Sequence, residues 1–268
     1  MNRYFRVEAP QSAHNQADED RLFVRAAERA MQVLGAFHHA TGPLTLSGIS
    51  ESAGLDRSAA QRLVHTFMKL GYIRRSSDDR GYLPGIRLMD HTLDLLRLDP
   101  VVQKATPVLL ELRKSLRERV DLSLYDETRL IYALRMQSKR ETFFATLVGH
   151  SVPTYCTAGG RAVLSQLPEE EAREILHRTP LHPFTSSTKV DPEEIMAELA
   201  IARENRYAVV CDEYALGEVA LGVAITDRNG APLSAIHVAG SLSEYTPEEF
   251  VAKAAPLAIE AASAIMAG

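Results

Sequence analysis

The chain has 268 residues, a length that fits one large or two ordinary domains, each able to bury its own core. Its composition (46% hydrophobic, 24% charged, net charge −5) is typical of a soluble globular protein, and no apolar run reaches the ~20 residues of a membrane helix. Its two cysteines, Cys156 and Cys211, form no C-x-x-C motif, which argues against structural zinc and fits a reducing compartment.

Charge is distributed unevenly along the chain. Residues 20–87 hold ten Lys and Arg against six Asp and Glu, whereas the remainder holds 20 against 29. A basic module joined to an acidic one indicates a local polyanionic partner, and a chance asymmetry remains the alternative. Residues 1–20 are polar and lack the apolar core of a secretion signal, so we expect a disordered arm and a cytoplasmic protein.

The first predicted domain, residues 21–85, consists of three helices and a hairpin. Apolar residues at helical spacing predict the helices at 23–40, 46–53 and 57–70. Thr45 and Asp56 are suitable N-caps for the second and third helices, and Gly54 suits the end of the second. Short strands on either side of the polar turn at residues 76–81 predict a hairpin.

A linker helix, residues 86–100, is expected to precede a larger domain at 101–268. The predicted helices of this domain lie at 101–119, 155–166, 169–177, 192–205 and from 247 onward, and the strands at 121–125, 130–134, 142–147, 207–210, 219–226 and 233–238. Asn229-Gly230 indicates a hairpin, and Thr246 with Glu249 forms a capping box. This mixture predicts an α+β fold with an antiparallel sheet.

The tight turn between the second and third helices is typical of a helix-turn-helix, and the hairpin would make it a winged helix. The third helix is predicted to be polar on one side and apolar on the other, where its buried stripe is Ala60, Leu63, Val64, Phe67 and Leu70. Arg57, Gln61 and Arg62 are the expected base readers, because Arg matches guanine and Gln matches adenine. The full predicted DNA-binding set is Thr45, Arg57, Ser58, Ala59, Gln61, Arg62, His65, Lys69, Arg74, Arg75 and Arg80.

Two other interpretations of this segment remain open. It is also compatible with an ordinary helical hairpin that has a solvated basic face. A winged helix that binds only protein is a further alternative, and it predicts DNA affinity insensitive to salt.

Several segments, in order, resemble the IclR family of transcriptional regulators. They are Ala27-Glu28-Arg29-Ala30-Met31-Gln32-Val33-Leu34, Pro43-Leu44-Thr45-Leu46-Ser47, Ala53-Gly54-Leu55, Leu70-Gly71-Tyr72-Ile73, Gly149-His150-Ser151-Val152-Pro153, Ala158-Gly159-Gly160-Arg161-Ala162 and Cys211-Asp212-Glu213. The resemblance covers roughly residues 22–266. It implies a GAF-like effector domain and a homodimer or tetramer that binds a near-palindromic operator in double-stranded DNA.

The resemblance also implies a pocket for a small organic acid. Carried over by position, its lining is Phe144, Val152, Thr157, Ala158, Gly159, Val210, Ala220, His237 and Ala239. Members that bind very small oxo acids have an acid, a cysteine and two serines where this chain has Val210, Ala220, His237 and Ala239. We therefore expect a larger, partly apolar acid, such as an aromatic acid, whose polar end meets His237; a core histidine satisfied by the backbone is the alternative.

No cofactor, metal site or catalytic residue is expected. The chain lacks the G-x-S-x-G, Walker A, G-x-G-x-x-G and H-E-x-x-H motifs of common enzymes. Adjacent Asp212 and Glu213 would face opposite sides of a strand, and the spacing of His177 and His182 is poor for a metal. Arg161 is expected to pair structurally rather than touch a ligand.

Overall fold

The computed structural model describes residues 21–137 and 148–267. Within them the chain divides into two compact units, the first reaching Leu98 and the second beginning at Asp99. The predicted arm (residues 1–20) and the predicted strand at 142–147 lie outside the described residues. The expected α+β architecture, with an N-terminal helix-turn-helix, is confirmed.

The first unit is a winged helix-turn-helix. Its elements are α1 (Arg25–Gly35), α2 (Leu46–Ser52), α3 (Arg57–Leu70), β1 (Ile73–Arg75), β2 (Tyr82–Pro84) and α4 (Leu88–Leu98). Val33, Ile49, Val64 and Ile73 form its buried centre, so each of the first three helices and the hairpin contributes to one small core. Leu70 was expected on the buried side of the third helix but is 52% exposed, because it lies in the last turn, beyond the reach of that core.

Helix α4, within the predicted linker, has no buried residue. It is tied to the first unit by His91, whose Nε2 is hydrogen-bonded to the Tyr72 hydroxyl at 2.5 Å while the two rings stack. Ile86, Met89 and Leu93 remain exposed. An exposed apolar helix of this kind is more typical of an interface than of a solvated spacer.

The second unit is built on a six-stranded antiparallel sheet in the order β5-β4-β3-β8-β7-β6. Its elements are α5 (Pro100–Leu116), β3 (Arg119–Asp126), β4 (Arg129–Met136), β5 (Ser151–Pro153), α6 (Ala158–Leu164), α7 (Glu169–Arg178), α8 (Pro192–Asn205), β6 (Ala208–Cys211), β7 (Glu218–Thr226), β8 (Pro232–Ser241) and α9 (Pro247–Ala267). The predicted hairpin and capping box are both present: Asp227 Oδ1 accepts from Asn229 N, and Thr246 and Glu249 cap each other. Strand β5 was not predicted, and α6 is shorter than expected, since Thr157 caps it.

Helices cover both faces of the sheet. Helices α5 and α9 pack together on one face, against β3 and β7, and α6 packs on the other, against β7 and β8. Alternate residues of β3 therefore face two interiors: Val120 and Leu122 lie on one side and Asp121 and Ser123 on the other, all of them buried. Asp121 and Ser123 are therefore enclosed rather than solvated.

Helix α9 is 21 residues long and, by length and composition alone, apolar enough to cross a membrane. Such a run was not expected from the sequence. Phe250, Ala254 and Ala258 are buried, and the helix packs against β7 and α5. It therefore serves as a core helix of the second unit.

Candidate nucleic-acid interface and ligand pocket

The turn before α3 is built by local hydrogen bonds. Asp56 Oδ1 accepts from Ala59 N at 2.9 Å, and this hydrogen bond lowers the pKa of the Asp56 carboxyl group. Gly54, with φ +63°, supplies the left-handed turn, and Gly71, with φ +80°, ends the helix. Both predicted N-caps are confirmed, because Thr45 Oγ1 likewise accepts from Gly48 N.

One face of α3 is open to solvent. It carries Arg57, Ser58, Gln61, Arg62, His65 and Lys69, all exposed. Ala59, from the same predicted set, is only partly exposed and lies at the edge of this face. The helix therefore presents six polar side chains outward while Ala60 and Val64 face the core, as a recognition helix requires.

Two of the predicted base readers are unengaged within the part of the chain that the structure describes. The side chains of Gln61 and Arg62 make no hydrogen bond or ion pair there, whereas Nη1 of Arg57 donates to Ser47 Oγ at 3.3 Å. Arg62 and Gln61 can turn to a duplex without breaking an existing interaction. Arg57 must first leave an exposed, long hydrogen bond, which is a small cost.

The wing carries acids that offset its arginines. Arg75 lies over the Tyr82 ring at 4.5 Å and pairs with Asp79 at 3.5 Å, while Arg80 lies 3.9 Å from Asp78. Arg74 is exposed on β1. Because two of the three predicted wing arginines already have a carboxylate beside them, the tip of the wing has less positive field than the sequence indicated.

In the second unit, four of the predicted pocket residues form one small buried cluster. Ala158 from α6, Val210 from β6, Ala220 from β7 and Ala239 from β8 contact each other, and we refer to them as the alanine cluster. Residues from four different elements meet here because β6, β7 and β8 are neighbours in the sheet and α6 crosses them.

Two glycines allow α6 to approach the sheet closely. A Cβ atom on Gly222 would lie 2.2 Å from the Ala158 carbonyl carbon, and one on Gly159 would lie 2.2 Å from His237 Cε1. Any larger residue at either position would push the helix away from β7 and β8. Gly159 and His237, two predicted pocket residues, are therefore in direct contact.

His237 lies on the sheet face beneath α6. Its Nε2 shares a hydrogen bond of 2.7 Å with Ser123 Oγ, and its ring lies 5.2 Å from that of Tyr132. Burial, with the positive charges of Arg119 and Arg135, lowers the pKa of His237 to about 3, so the imidazole is neutral. Among the described residues no group hydrogen-bonds its Nδ1, which leaves one polar atom for a ligand.

Two of the remaining predicted pocket residues, Thr157 and Val152, stabilise the fold rather than face a ligand. Thr157 Oγ1 donates to the Pro153 carbonyl at 2.7 Å and accepts from Gly160 N, so its hydroxyl group is occupied as a cap. Val152 is fully buried in a neighbouring apolar cluster with Leu130. Phe144 lies outside the described residues.

A charged network around the buried carboxylate of Asp121 borders the alanine cluster, and the sequence did not reveal it. Asp121 is fully buried and accepts hydrogen bonds from Arg119 Nε at 3.1 Å and from Arg135 Nε at 2.9 Å. Arg119 Nη1 also donates to Glu218 at 2.8 Å. The alternation of polar and apolar residues at Arg119, Val120 and Asp121 could have indicated such a network. It was equally compatible with a strand whose polar face is exposed to water.

Arg161 and Glu213 form a second buried ion pair, as expected for a structural role of Arg161. Both guanidinium Nη atoms donate to the carboxylate at 2.6 Å, Arg161 Nε donates to the Tyr155 carbonyl, and Glu213 also accepts from Lys189 N. The pair ties α6 to the segment after β6. Because Glu213 is fully committed to these donors, it is unsuited to acid–base chemistry.

A wide groove of about 940 Å³ lies between the β3–β4 turn and α7, lined by Tyr125, Glu127, Pro168, Glu170, Glu171, Arg173, Glu174, Ile175, His177 and Arg178. It shares no residue with the predicted pocket, and its walls are mostly charged and open.

Within residues 21–137 and 148–267, no three His, Cys, Asp or Glu side chains lie close enough together to hold a metal ion. Burial raises the pKa of the Cys156 thiol, which makes it an unreactive core residue.

Two family models match the chain: "Bacterial transcriptional regulator IclR C-terminal" over residues 94–267 and "IclR helix-turn-helix domain" over residues 26–77. The chain is 30% identical over 242 residues to the Pca regulon regulatory protein of Pseudomonas putida, covering 89% of this chain and 82% of that protein. The IclR structure of Thermotoga maritima is similar (27% identity, TM-score 0.68, 91% and 98% of the two chains). So is an IclR homolog from Microbacterium hydrocarbonoxydans complexed with 4-hydroxybenzoate (22% identity, TM-score 0.73, 90% and 98%).

Proposed function

Because the chain belongs to the IclR family of bacterial transcriptional regulators, we propose that it is a sequence-specific DNA-binding regulator whose promoter contact responds to a small organic acid. The open polar face of α3 is the observation that carries this function. It has the residue types that read bases, at helical spacing, on a helix anchored by a small core.

In this proposal α3 lies in the major groove. Arg62, Gln61 and Arg57 read base edges from the exposed face, since a bidentate Arg or Gln contact discriminates between bases. The other members of the predicted set contact the phosphate backbone: Thr45, Ser58, Ala59, His65, Lys69, Arg74, Arg75 and Arg80. The acids beside Arg75 and Arg80 make the wing a secondary contributor.

A homodimer, or a tetramer made of two dimers, would place two copies of α3 on successive half-sites of a near-palindromic operator. Exposed apolar side chains in the first unit support such an assembly: Val24 and Met31 are 63% and 64% exposed, and Met89 and Leu93 are 64% and 63% exposed. Exposed apolar groups on these helices support an interface with a second copy.

The effector in this proposal is a small organic acid with an apolar body, and an aromatic acid fits best. The alanine cluster offers an apolar floor, and neutral His237 offers Nδ1 to a polar group of the ligand. The relative complexed with 4-hydroxybenzoate supports this ligand class. The effector changes DNA affinity through residues 86–98, which join the two units, and DNA must change effector affinity by the same factor.

The relatives are regulators, which favours a protein that acts without catalysis, in the cytoplasm. Glu213 is held by Arg161, so the Asp212-Glu213 pair does not supply a catalytic base.

The DNA-binding role is tested by fluorescence anisotropy with duplexes tiled from the chain's own upstream region. Arg62→Glu should reduce affinity at least tenfold, since it replaces a base or phosphate contact by repulsion. Arg228→Glu, an exposed charge reversal in the β7–β8 turn, is the matched control and should leave affinity unchanged. Wild-type affinity should also fall steeply as salt rises, and an affinity insensitive to both salt and Arg62→Glu would refute DNA recognition by α3.

The effector role is tested on the same complexes. An organic acid that stabilises the protein in a thermal-shift screen should alter its DNA affinity, and His237→Phe should weaken that response while leaving operator binding without the acid intact. An unchanged response in His237→Phe would remove His237 from the effector site.

A further inference from the structure

We propose that the carboxylate of the effector binds between Arg119 and the hydroxyl group of Tyr132, at the border of the alanine cluster. This inference rests on the proposed function, because it names the part of the site that recognises the acid group. The pocket lining that the family resemblance implies lies mainly at the α6 end of the site. The charged network on β3 lies at a different border.

Strand register places Arg119 beside the alanine cluster. Arg119 pairs with Ala239 across β3 and β8, and Ala239 pairs with Ala220 across β8 and β7. The side chain of Arg119 reaches Glu218 on β7, two strands away, so their ion pair passes over β8 near Ala239. Ala239, the residue opposite Arg119, is small and buried.

Arg119 is held in place yet keeps a donor. Nε donates to Asp121 and Nη1 to Glu218, and the side chain is 24% exposed. Within the described ranges, Nη2 of Arg119 donates to no group. Asp121 is in turn fixed by two hydrogen bonds from Arg135. A guanidinium group that two carboxylates orient, and that keeps one donor unused, is preorganised for a further carboxylate.

Tyr132 supplies a second donor. It is 7% exposed, its ring lies under the Arg135 guanidinium at 4.5 Å, and its hydroxyl group has no hydrogen-bond partner in the part of the chain described here. The hydroxyl oxygen is not sealed off, unlike the buried, unpartnered Oγ of Ser234. An accessible hydroxyl group that no described residue engages is free to donate to a ligand.

The Tyr132 hydroxyl lies in the field of the same charges that surround Arg119. Burial raises the pKa of Tyr132, Asp121 adds to this effect, and Arg119 opposes it. The phenol therefore stays protonated and can donate to an anion at any physiological pH. Arg119 and Tyr132 together offer one charge-assisted and one neutral hydrogen bond on the same sheet face.

This arrangement defines the ligand class. The carboxylate meets Arg119 and Tyr132, and the rest of the molecule lies on the alanine cluster, which offers only apolar contacts. Glu218 remains beside Arg119 and repels further negative charge there. The site therefore favours a monocarboxylic acid with an aromatic or aliphatic body over a short, wholly polar acid.

The experiment uses the full chain, with thermal shift and calorimetric titration against benzoate, 4-hydroxybenzoate and hexanoate, each compared with its neutral primary amide. At least one acid should bind the wild type, and its amide should not stabilise it. Tyr132→Phe should keep the melting temperature of the ligand-free protein, because none of the described residues is a hydrogen-bond partner of this hydroxyl group. It should weaken acid binding roughly threefold to tenfold. Tyr125→Phe is the matched control, because Tyr125 lies on β3 of the same sheet but lines the groove beside α7.

Arg119→Gln should weaken acid binding roughly tenfold to a hundredfold, as expected for a lost hydrogen bond to a charged group. Glu218→Gln should have the opposite effect and tighten acid binding, because it removes the competitor for Arg119. A purely structural network would instead make both variants weaker binders. If Arg119→Gln does not fold, the acid affinities of Tyr132→Phe and Glu218→Gln decide whether the carboxylate binds at this site.

The outcomes separate the two levels of the proposal. An acid that binds wild type, Tyr132→Phe and Arg119→Gln with equal affinity overturns this inference and leaves the proposed effector class standing. A wild-type protein that binds its operator but none of the acids overturns the effector part of the proposed function together with this inference.

Discussion

Gly159→Ala tests the close approach of α6 to the sheet. The new Cβ atom would lie 2.2 Å from Cε1, 2.4 Å from Nε2 and 2.8 Å from Nδ1 of His237, all closer than atoms tolerate. His237 cannot easily withdraw, because Ser123 holds its Nε2 and Tyr132 lies beside it. Overpacking of this kind costs about 1–3 kcal/mol, against which Ala gains up to about 1 kcal/mol over Gly in a helix. We expect a net loss of about 1–2 kcal/mol of unfolding free energy.

The assay is urea unfolding of the full chain, followed by far-UV circular dichroism and by tyrosine fluorescence, since the chain has no Trp. The same substitution made in a His237→Ala background should cost nothing, because the three clashing ring atoms are gone; the coupling energy of this cycle should be about 1–3 kcal/mol. Gly35→Ala is the control, since its Cβ would meet its nearest atom, in His38, at 3.9 Å. The reasoning fails if Gly159→Ala is as stable as wild type, or equally destabilising with and without the imidazole.

Three further predictions follow from the second unit. First, burial lowers the pKa of His237 to about 3 in the folded chain, so at acidic pH the unfolded chain binds a proton that the folded chain does not. The free energy of unfolding should therefore fall by up to about 1.4 kcal/mol per pH unit as pH drops below ~6.5. His237→Gln should flatten that slope in denaturation measured from pH 7 to 4. Second, Arg161→Met should lower the free energy of unfolding by about 3–5 kcal/mol, because it leaves the Glu213 carboxylate buried and unpaired. The double variant Arg161→Met/Glu213→Leu should recover most of this loss. Equal stability of the single and double variants would contradict the prediction. Third, Thr157→Val should lower the free energy of unfolding, measured by calorimetry, by about 1–3 kcal/mol. The substitution removes the N-cap of α6 and the hydroxyl group that donates to the Pro153 carbonyl. An unchanged melting temperature would show that this hydroxyl group is not structural.

Local signals predicted most of the elements. The bounds of α3 and α8 were predicted to the residue, because Asp56 caps the first and Pro192 begins the second, and both signals act within one helical turn. Strand β5 was missed because three buried residues carry too little period to detect. Leu70 was assigned to the core by helical spacing alone, although spacing does not say where the core ends.

The exposed face of α3 was likewise predictable, since it depends on which residues alternate along one helix. The acids beside the wing arginines were visible in the sequence, but their pairing with Arg75 and Arg80 depends on how the hairpin folds. The predicted pocket was partly assembled: Ala158, Val210, Ala220 and Ala239 do meet, but Val152 belongs to a neighbouring cluster.

The order of residues alone determined the two-part organisation, the polar face of the third helix and the caps that start the helices, because each of these depends on neighbours within a few positions of the chain. Only the tertiary structure decided that Arg119, Asp121, Arg135 and Glu218 form one network around a buried carboxylate. Those residues come from three strands, and nothing in their local sequence distinguishes a strand face covered by helices from one that faces water.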